Sequence, residues 1–114
     1  MEKIDFLSLA KKLKGPWEPM EVLRMDGYHI LLALFDGEYK FHKHDGDEMF
    51  YVIKGEIEIE MHIGTIKLKE GEGYLLPKET AHRSRAAKPS IVIAFERVNL
   101  RTIWTHPKPN RFKD

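Results

Sequence analysis

Four residues carry most of the chemistry this sequence offers: His42, His44, Glu48 and His82. Three imidazoles and one carboxylate form a ligand set for a first-row transition metal. Their spacing suits strands. His42 and His44 are two apart, so in a strand both side chains point to one face. Asp45-Gly46 reads as a turn, and a returning strand from Glu48 brings a carboxylate beside the two histidines. His82 needs one later strand to arrive from across a barrel. Asp45 and Asp47 compete with Glu48 for the carboxylate role. Face parity favours Glu48, which shares an interior side with Phe50 and Val52, whereas Asp45 and Asp47 suit the turn. The bland alternative is a hydrogen-bonded polar cluster at a barrel mouth that holds no metal.

The glycine-framed runs around these residues resemble a known family. Gly37-x4-His42-x-His44-x3-Glu48-x6-Gly55 resembles the first cupin motif, and Gly71-x5-Pro77-x4-His82 resembles the second. The commonest form of the first motif has five residues before its first histidine, and here there are four. Glu79 stands where the second motif often has Gly, and Ala86 where it often has Asn. None of these departures removes a ligand. The resemblance spans roughly residues 15–98. It implies an all-β, antiparallel double-stranded β-helix (a jelly-roll or cupin barrel) with a metal held by His42, His44, Glu48 and His82. It does not choose an activity, because cupins host enzymes, binding proteins and sensor domains.

The elements that must position these residues can be read from periodicity. Apolar residues at Ile4, Leu7, Leu9, Ala10 and Leu13, with lysines late, predict one short amphipathic helix, stopped by Gly15-Pro16. Beyond it the period changes to two. Strands are expected near 20–25, 28–36, 39–43, 47–54, 56–62, 65–69, 73–76, 81–85 and 90–97, punctuated by Asp26-Gly27, Asp36-Gly37, Asp45-Gly46, Gly55, Gly64, Gly71, Pro77 and Lys88-Pro89. Strands at this spacing point to a barrel or sandwich. The chain therefore divides into an N-terminal helix (1–15), a barrel (16–98) and a C-terminal tail (99–114). From Thr105 onward, with Pro107, Pro109, Arg111 and Lys113, the tail reads as a mobile or partner-docked end.

Two strands are informative by face. Ile57, Ile59 and Met61 alternate with Glu56, Glu58, Glu60 and His62, so one face is buried and the other wet and acidic. Ile30 to Phe35 are all apolar, which demands cover on both faces. A homodimer is expected to supply it, with Met49, Tyr51 and Ile53 as further interface candidates. The competing expectation is cover by the N-terminal helix.

At 114 residues the chain is one domain. Its 19 basic and 18 acidic side chains leave a net charge of +1, so no large field points to nucleic acid or membrane. The abundance of both signs, with no Gln and only Asn99 and Asn110, resembles an ion-pair-rich thermophile surface. No apolar run of about 18 residues is present to span a membrane. Met1 to Gly15 is charged and lacks a secretion-signal core, so a cytoplasmic protein is expected. With no Cys, thiolate ligands and thiol nucleophiles are excluded. The ligands must be N and O, which fits one divalent transition metal such as Fe, Mn, Ni or Zn.

Phosphate-cradling glycine loops and Ser/His/Asp arrangements are absent; Gly71-Glu72-Gly73 is a turn. The pocket lining is expected from Phe50, Val52, Tyr74, Leu76, Arg83 or Ser84, and Glu96. Glu96 could serve as a general base, but a surface ion pair with Arg97 or Arg85 is the simpler reading. His29 reads as an interface or core residue and His62 as solvated; His106 has no partner in sequence, and Trp17 and Trp104 read as packing residues. Two functions compete. One is a metal-dependent enzyme acting on a small organic molecule: oxidation with Fe(II), or Lewis-acid isomerisation or decarboxylation with Mn, Ni or Zn. A sugar-phosphate isomerase is disfavoured, because Arg83 and Arg85 are the only basic candidates for the cavity and at most one of them is expected to face the metal. The other is a non-catalytic module that binds a small ligand or a structural metal.

Overall fold

The computed structural model describes residues 2–106. The expectation for Pro107, Pro109, Arg111 and Lys113 lies outside them. The described chain is a short helix, α1 (Phe6–Ala10), followed by nine strands: β1 (Met20–Met25), β2 (Tyr28–Glu38), β3 (His42–His44), β4 (Glu48–Lys54), β5 (Glu56–Met61), β6 (Gly64–Lys69), β7 (Gly73–Leu76), β8 (His82–Arg97) and β9 (Thr102–Trp104). The helix is shorter than its apolar pattern. Asp5 caps it by accepting from the Ser8 amide at 3.2 Å, and beyond Ala10 the chain continues only as three-residue turns closed by Lys12 N to Leu9 O and Leu13 N to Ala10 O.

All pairing between these strands is antiparallel and organised around β8. One edge of β8 pairs with β2, from Tyr28–Arg97 to Glu38–Arg85, and then with β3 at His42–His82. The other edge pairs first with β4 and then with β5. β6 and β7 extend β5 and β4 outward. One long strand thus runs through a single nine-stranded sheet that curls over a common interior, the barrel that the motifs imply.

Lys88-Pro89, expected as a turn between two strands, is instead a bulge inside β8. Its register against β2 jumps from Ser90 to Ala86 while β2 advances only from Phe35 to Gly37. Proline has no N–H for the ladder, and a bulge is where that lack costs least. Against the other edge of β8, Gly55 makes the matching bend between β4 and β5. Its φ is +92°, and a Cβ there would collide with Ser90 Oγ. Ser90 is fully buried; its hydroxyl accepts from the Glu56 amide at 3.1 Å and lies within bonding range of the Glu56 and Lys88 carbonyls.

The interior is filled by alternate residues of these strands: Ala33 and Phe35, Phe50 and Val52, Ile57 and Ile59, Val92 and Ala94, closed by Leu68 and Leu76. Each large side chain so buried contributes roughly 1.5–3 kcal/mol. The acidic outer face of β5 is met by two arginines of β8. Arg83 Nε lies 3.0 Å from Glu60, and Arg85 Nε lies 2.7 Å from Glu58.

On β2, Leu31, Ala33 and Phe35 face or flank the core. Leu32, of opposite parity, is also fully buried, and α1 packs on this strand. Further along that outer face the row Ile30–Phe95–Met49–Leu75 crosses β2, β8, β4 and β7. Met49, Leu75 and Tyr28 are exposed there, with Tyr28 stacked on Phe95 at 5.7 Å.

Candidate metal centre

The polar cluster forms where β3, β4 and β8 meet. His42 and His82 are direct cross-strand partners, and such partners project to the same face. His44, two residues on, shares it. One nitrogen from each of His42, His44 and His82 lies within 4.8 Å of the others. His82 is 0% exposed and His42 7%.

The backbone fixes which nitrogen each ring presents. His42 Nδ1 lies 2.7 Å from the Lys40 carbonyl oxygen, and His82 Nδ1 lies 2.9 Å from that of Thr80. A carbonyl only accepts, so both Nδ1 atoms carry the proton and both Nε2 atoms offer a lone pair. His44 Nδ1 faces the Arg101 carbonyl at 3.4 Å and the Thr102 hydroxyl at 3.2 Å, which turns its Nε2 toward Glu48, 3.2 Å away. Outward Nδ1 donation with inward Nε2 is how metal-binding histidines are oriented.

Burial depresses the pKa of His42, and that of His82 falls to about 4, through burial first and the neighbouring His42 second. Both rings are therefore neutral at pH 7, the form a metal requires. His82 Nε2 and Glu48 Oε1 are buried without a hydrogen-bond partner. The His44–Glu48 contact is thus an electrostatic approach rather than an aligned hydrogen bond. Each unsatisfied buried atom costs about 1–3 kcal/mol. A divalent cation among the three Nε2 atoms and Glu48 would satisfy both, so the donor set fits a metal.

Asp45 and Asp47 do serve the loop. Asp45 Oδ1 accepts from Arg97 Nη2 at 2.7 Å and from the Arg101 amide at 2.9 Å. Asp47 Oδ1 accepts from the Lys78 amide at 2.8 Å. Gly46 between them lies against Arg97 and Leu100, so closely that a Cβ would meet Arg97 Nη1 at 2.6 Å. Glu79, at the position where the motif often has Gly, adopts φ 64°, and its amide donates to the His44 carbonyl at 2.8 Å.

Glu96 differs from the simpler expectation. Arg97 pairs with Asp45, and Arg85 with Glu58 and Glu60, so neither reaches Glu96. It is instead the cross-strand partner of both Glu48 and His29. The three share one inward row, and His29 Nε2 lies 3.4 Å from Glu96 Oε2. His29 Nδ1 in turn meets Glu21 at 2.8 Å. His29, read from sequence as an interface or core residue, is a polar link from this row to the surface.

Burial, the hydrogen bond with Glu48 and the Glu48 charge raise the Glu96 pKa to about 9. Burial pushes Glu48 the same way, but the close approach of His44 and the hydrogen bond from Glu96 outweigh it and hold Glu48 below its ordinary value. The pair therefore shares one proton, carried by Glu96, as two adjacent carboxyl groups must.

Of the expected lining residues, Phe50, Val52, Leu76 and Ser84 are buried, and Arg83 turns outward to Glu60 and Glu38. His62 is exposed and stacks on Phe41 at 6.0 Å. Trp17 packs on Phe35 at 4.5 Å. Of two surface clefts, of about 410 and 860 Å³, the smaller is lined by Lys40, Phe41 and Trp104 beside this centre, and none of the three histidines lines either. Trp104, read from sequence as a packing residue, is instead exposed, and the strand that carries it was not expected. β9 pairs with β3, His42 facing Trp104 and His44 facing Thr102. No helix among the described residues is long and apolar enough to cross a membrane.

A curled antiparallel barrel with a three-histidine group at its mouth defines the class of protein. A cupin domain model matches residues 35–96, and the chain belongs to the cupin family. It is 30% identical over 107 residues to the uncharacterized protein YdbB of Bacillus subtilis (strain 168), covering 92% of this chain and 95% of that one. A cupin-2 domain containing protein from Shewanella frigidimarina NCIMB 400 superposes with a TM-score of 0.80 at 29% identity, over 82% of this chain and 93% of that one. Hydroquinone 1,2-dioxygenase PnpCD, in complex with Cd2+ and 4-hydroxybenzonitrile, gives a TM-score of 0.72 at 20% identity, over 92% of this chain and 74% of that one. At that identity the likeness speaks for the fold alone.

Proposed function

We propose that this cupin is a metal-dependent enzyme acting on a small organic molecule, with one divalent transition metal (Fe, Mn, Ni or Zn) bound by His42, His44, His82 and Glu48. The observation that carries the reading is the convergence of three backbone-oriented histidines, with His82 Nε2 buried and unpartnered. These four ligands would leave room on such an ion for a substrate oxygen or O₂. The bound ion would supply Lewis-acid or redox chemistry. Glu96 contributes a proton-bearing carboxyl group beside Glu48, positioned to give or take a proton at its Oε atoms. That a structural relative, PnpCD, is a dioxygenase complexed with Cd2+ is in keeping with this reading.

A non-catalytic module that binds a small ligand or a structural metal is the second reading. The deep burial of His42 and His82, neither of which lines a cleft, favours it. We further propose a homodimer that buries the outer row around Met49 and Phe95.

Elemental analysis of untagged wild type and His42→Ala side by side tests the metal. About one equivalent of a single transition metal in wild type, lost in the variant, is expected, and its identity selects the assays. No uptake by wild type, even after reconstitution with Fe, Mn, Ni and Zn, would leave the metal-free polar cluster. Turnover of any small acid or carbonyl compound by the loaded protein separates enzyme from module.

A further inference from the structure

One residue beside the metal centre has a position that its environment does not explain. Met61, His82, His42 and Trp104 form a continuous row of direct cross-strand partners over β5, β8, β3 and β9. Direct partners share a face, so the Trp104 indole stands on the same side of the sheet as the two imidazoles, at its edge. Its ring centroid is 5.8 Å from that of His42. Yet it is 58% exposed, while His82 beside His42 is 0%.

The strand that carries it is firmly tied. Thr105 N donates to the Phe41 carbonyl and Asp45 N to that of Arg101, and Thr102 Oγ1 meets His44 Nδ1. The backbone is therefore held against two candidate ligands while the largest apolar side chain on it is left uncovered. A second ring joins it. Tyr39 lies 6.0 Å from Trp104, 5.4 Å from His42 and 5.1 Å from Trp17. Lys40 Nζ stands 5.8 Å from the Trp104 ring.

We propose that the ligand of this centre is an anionic aromatic oxygen compound, a phenolate or aryl carboxylate, whose ring stacks on Trp104 while its oxygen reaches the metal. The inference rests on the metal reading above. Charge supports the anion: a divalent ion, three neutral imidazoles and one ionised glutamate sum to about +1, and Lys40 adds a further cation at the lip. Shape supports the ring. The histidines are too buried for a bulky group to enter, so only a donor atom passes, and the body of the ligand rests outside on a flat surface. Offset stacking on an indole suits that body. The buried, unpartnered His82 Nε2 and Glu48 Oε1 mark where the donor end is directed.

The test compares two anionic chelating probes on Co(II)-loaded protein: 4-nitrocatechol, which has a ring, and acetohydroxamate, which has none. Visible Co(II) bands report coordination of either. Trp104→Ala is expected to weaken 4-nitrocatechol about tenfold and to leave acetohydroxamate within about twofold; Trp104→Phe should retain most of the affinity. Equal weakening of both probes in Trp104→Ala would overturn the proposal and make Trp104 a support of the site. Unchanged binding of both would also overturn it, placing the ring elsewhere. Failure of wild type to take up Co(II) would instead bring down the metal reading, a result distinct from either.

Discussion

Replacing Glu96 by Gln should stabilise the metal-free protein, and increasingly so as the pH rises. The folded protein holds a proton on Glu96 up to about pH 9, whereas the ordinary carboxyl releases it near 4.5. Between these values the folded state binds the extra proton, so its stability falls with rising pH. The group's side chain is only 13% exposed, so solvent screening does little to reduce the effect. Each pH unit in the window is worth about 1.4 kcal/mol, which gives an upper limit of roughly 4 kcal/mol between pH 5 and 8. Glutamine copies the protonated carboxyl in shape and still donates to Glu48, but it cannot titrate. Urea unfolding of chelator-treated wild type and Glu96→Gln at the two pH values measures the difference directly. The depressed histidines titrate alike in both proteins and cancel. The gap in unfolding free energy should widen by kilocalories from pH 5 to 8. A gap that stays constant would refute the shared-proton reasoning, because it would mean Glu96 is ionised in the folded state at neutral pH. Metal loading gives an internal check: a cation on Glu48 removes the repulsion that lifts Glu96, and the gap should narrow.

Two further outcomes follow from the backbone and the surface. Glu79→Gly should stabilise the fold by up to about 1 kcal/mol, because a non-glycine residue at φ 64° is strained and the Lys43–Glu79 ion pair it forfeits is largely exposed; thermal unfolding that shows a loss instead would mean that the pair or the unfolded-chain entropy outweighs the strain. Met49→Asp, in the exposed row with Phe95 and Leu75, should convert a dimer to a folded monomer in sedimentation experiments, and a wild-type protein that is already monomeric at micromolar concentration would remove the dimer.

How much of this was legible depends on the reach of each signal along the chain. The two-residue period told the inner face of β5 from its outer face, and it put His42 with His44 in β3 and Glu48 with Phe50 and Val52 in β4, because parity within one strand needs no knowledge of its neighbours. The turn aspartates were legible as loop residues but their partners were not: the amides of Lys78 and Arg101 that bind Asp47 and Asp45 lie 31 and 56 positions away. The break expected at Lys88-Pro89 failed because a local breaker signal was overridden by β2, which runs past it as a continuous partner on both sides. Proline there removes only a hydrogen bond that the bulge had already given up.

Glu96, weighed between a cavity and a surface role, and Trp104, read as packing, were only partly legible, for a different reason. Each has an unremarkable local setting, an acid after an apolar run and a tryptophan near the tail. Their roles come from lateral neighbours 48 and 62 positions away in the chain, since 96 − 48 = 48 and 104 − 42 = 62. Register creates such neighbours, and register is set jointly by every hydrogen bond along a pair of strands. A slip of one residue between β4 and β8 would carry Glu96 to the outer face and put Phe95 against Glu48. The inward placement of Glu96 is therefore enforced by the apolar pairs on either side of it: Phe95 with Met49 outside, Ala94 with Phe50 inside. The core thereby fixes the protonation of the site. Packing that would hold the barrel together without any metal also forces two carboxyl groups into one row, and that proximity, together with burial, keeps one of them neutral at pH 7.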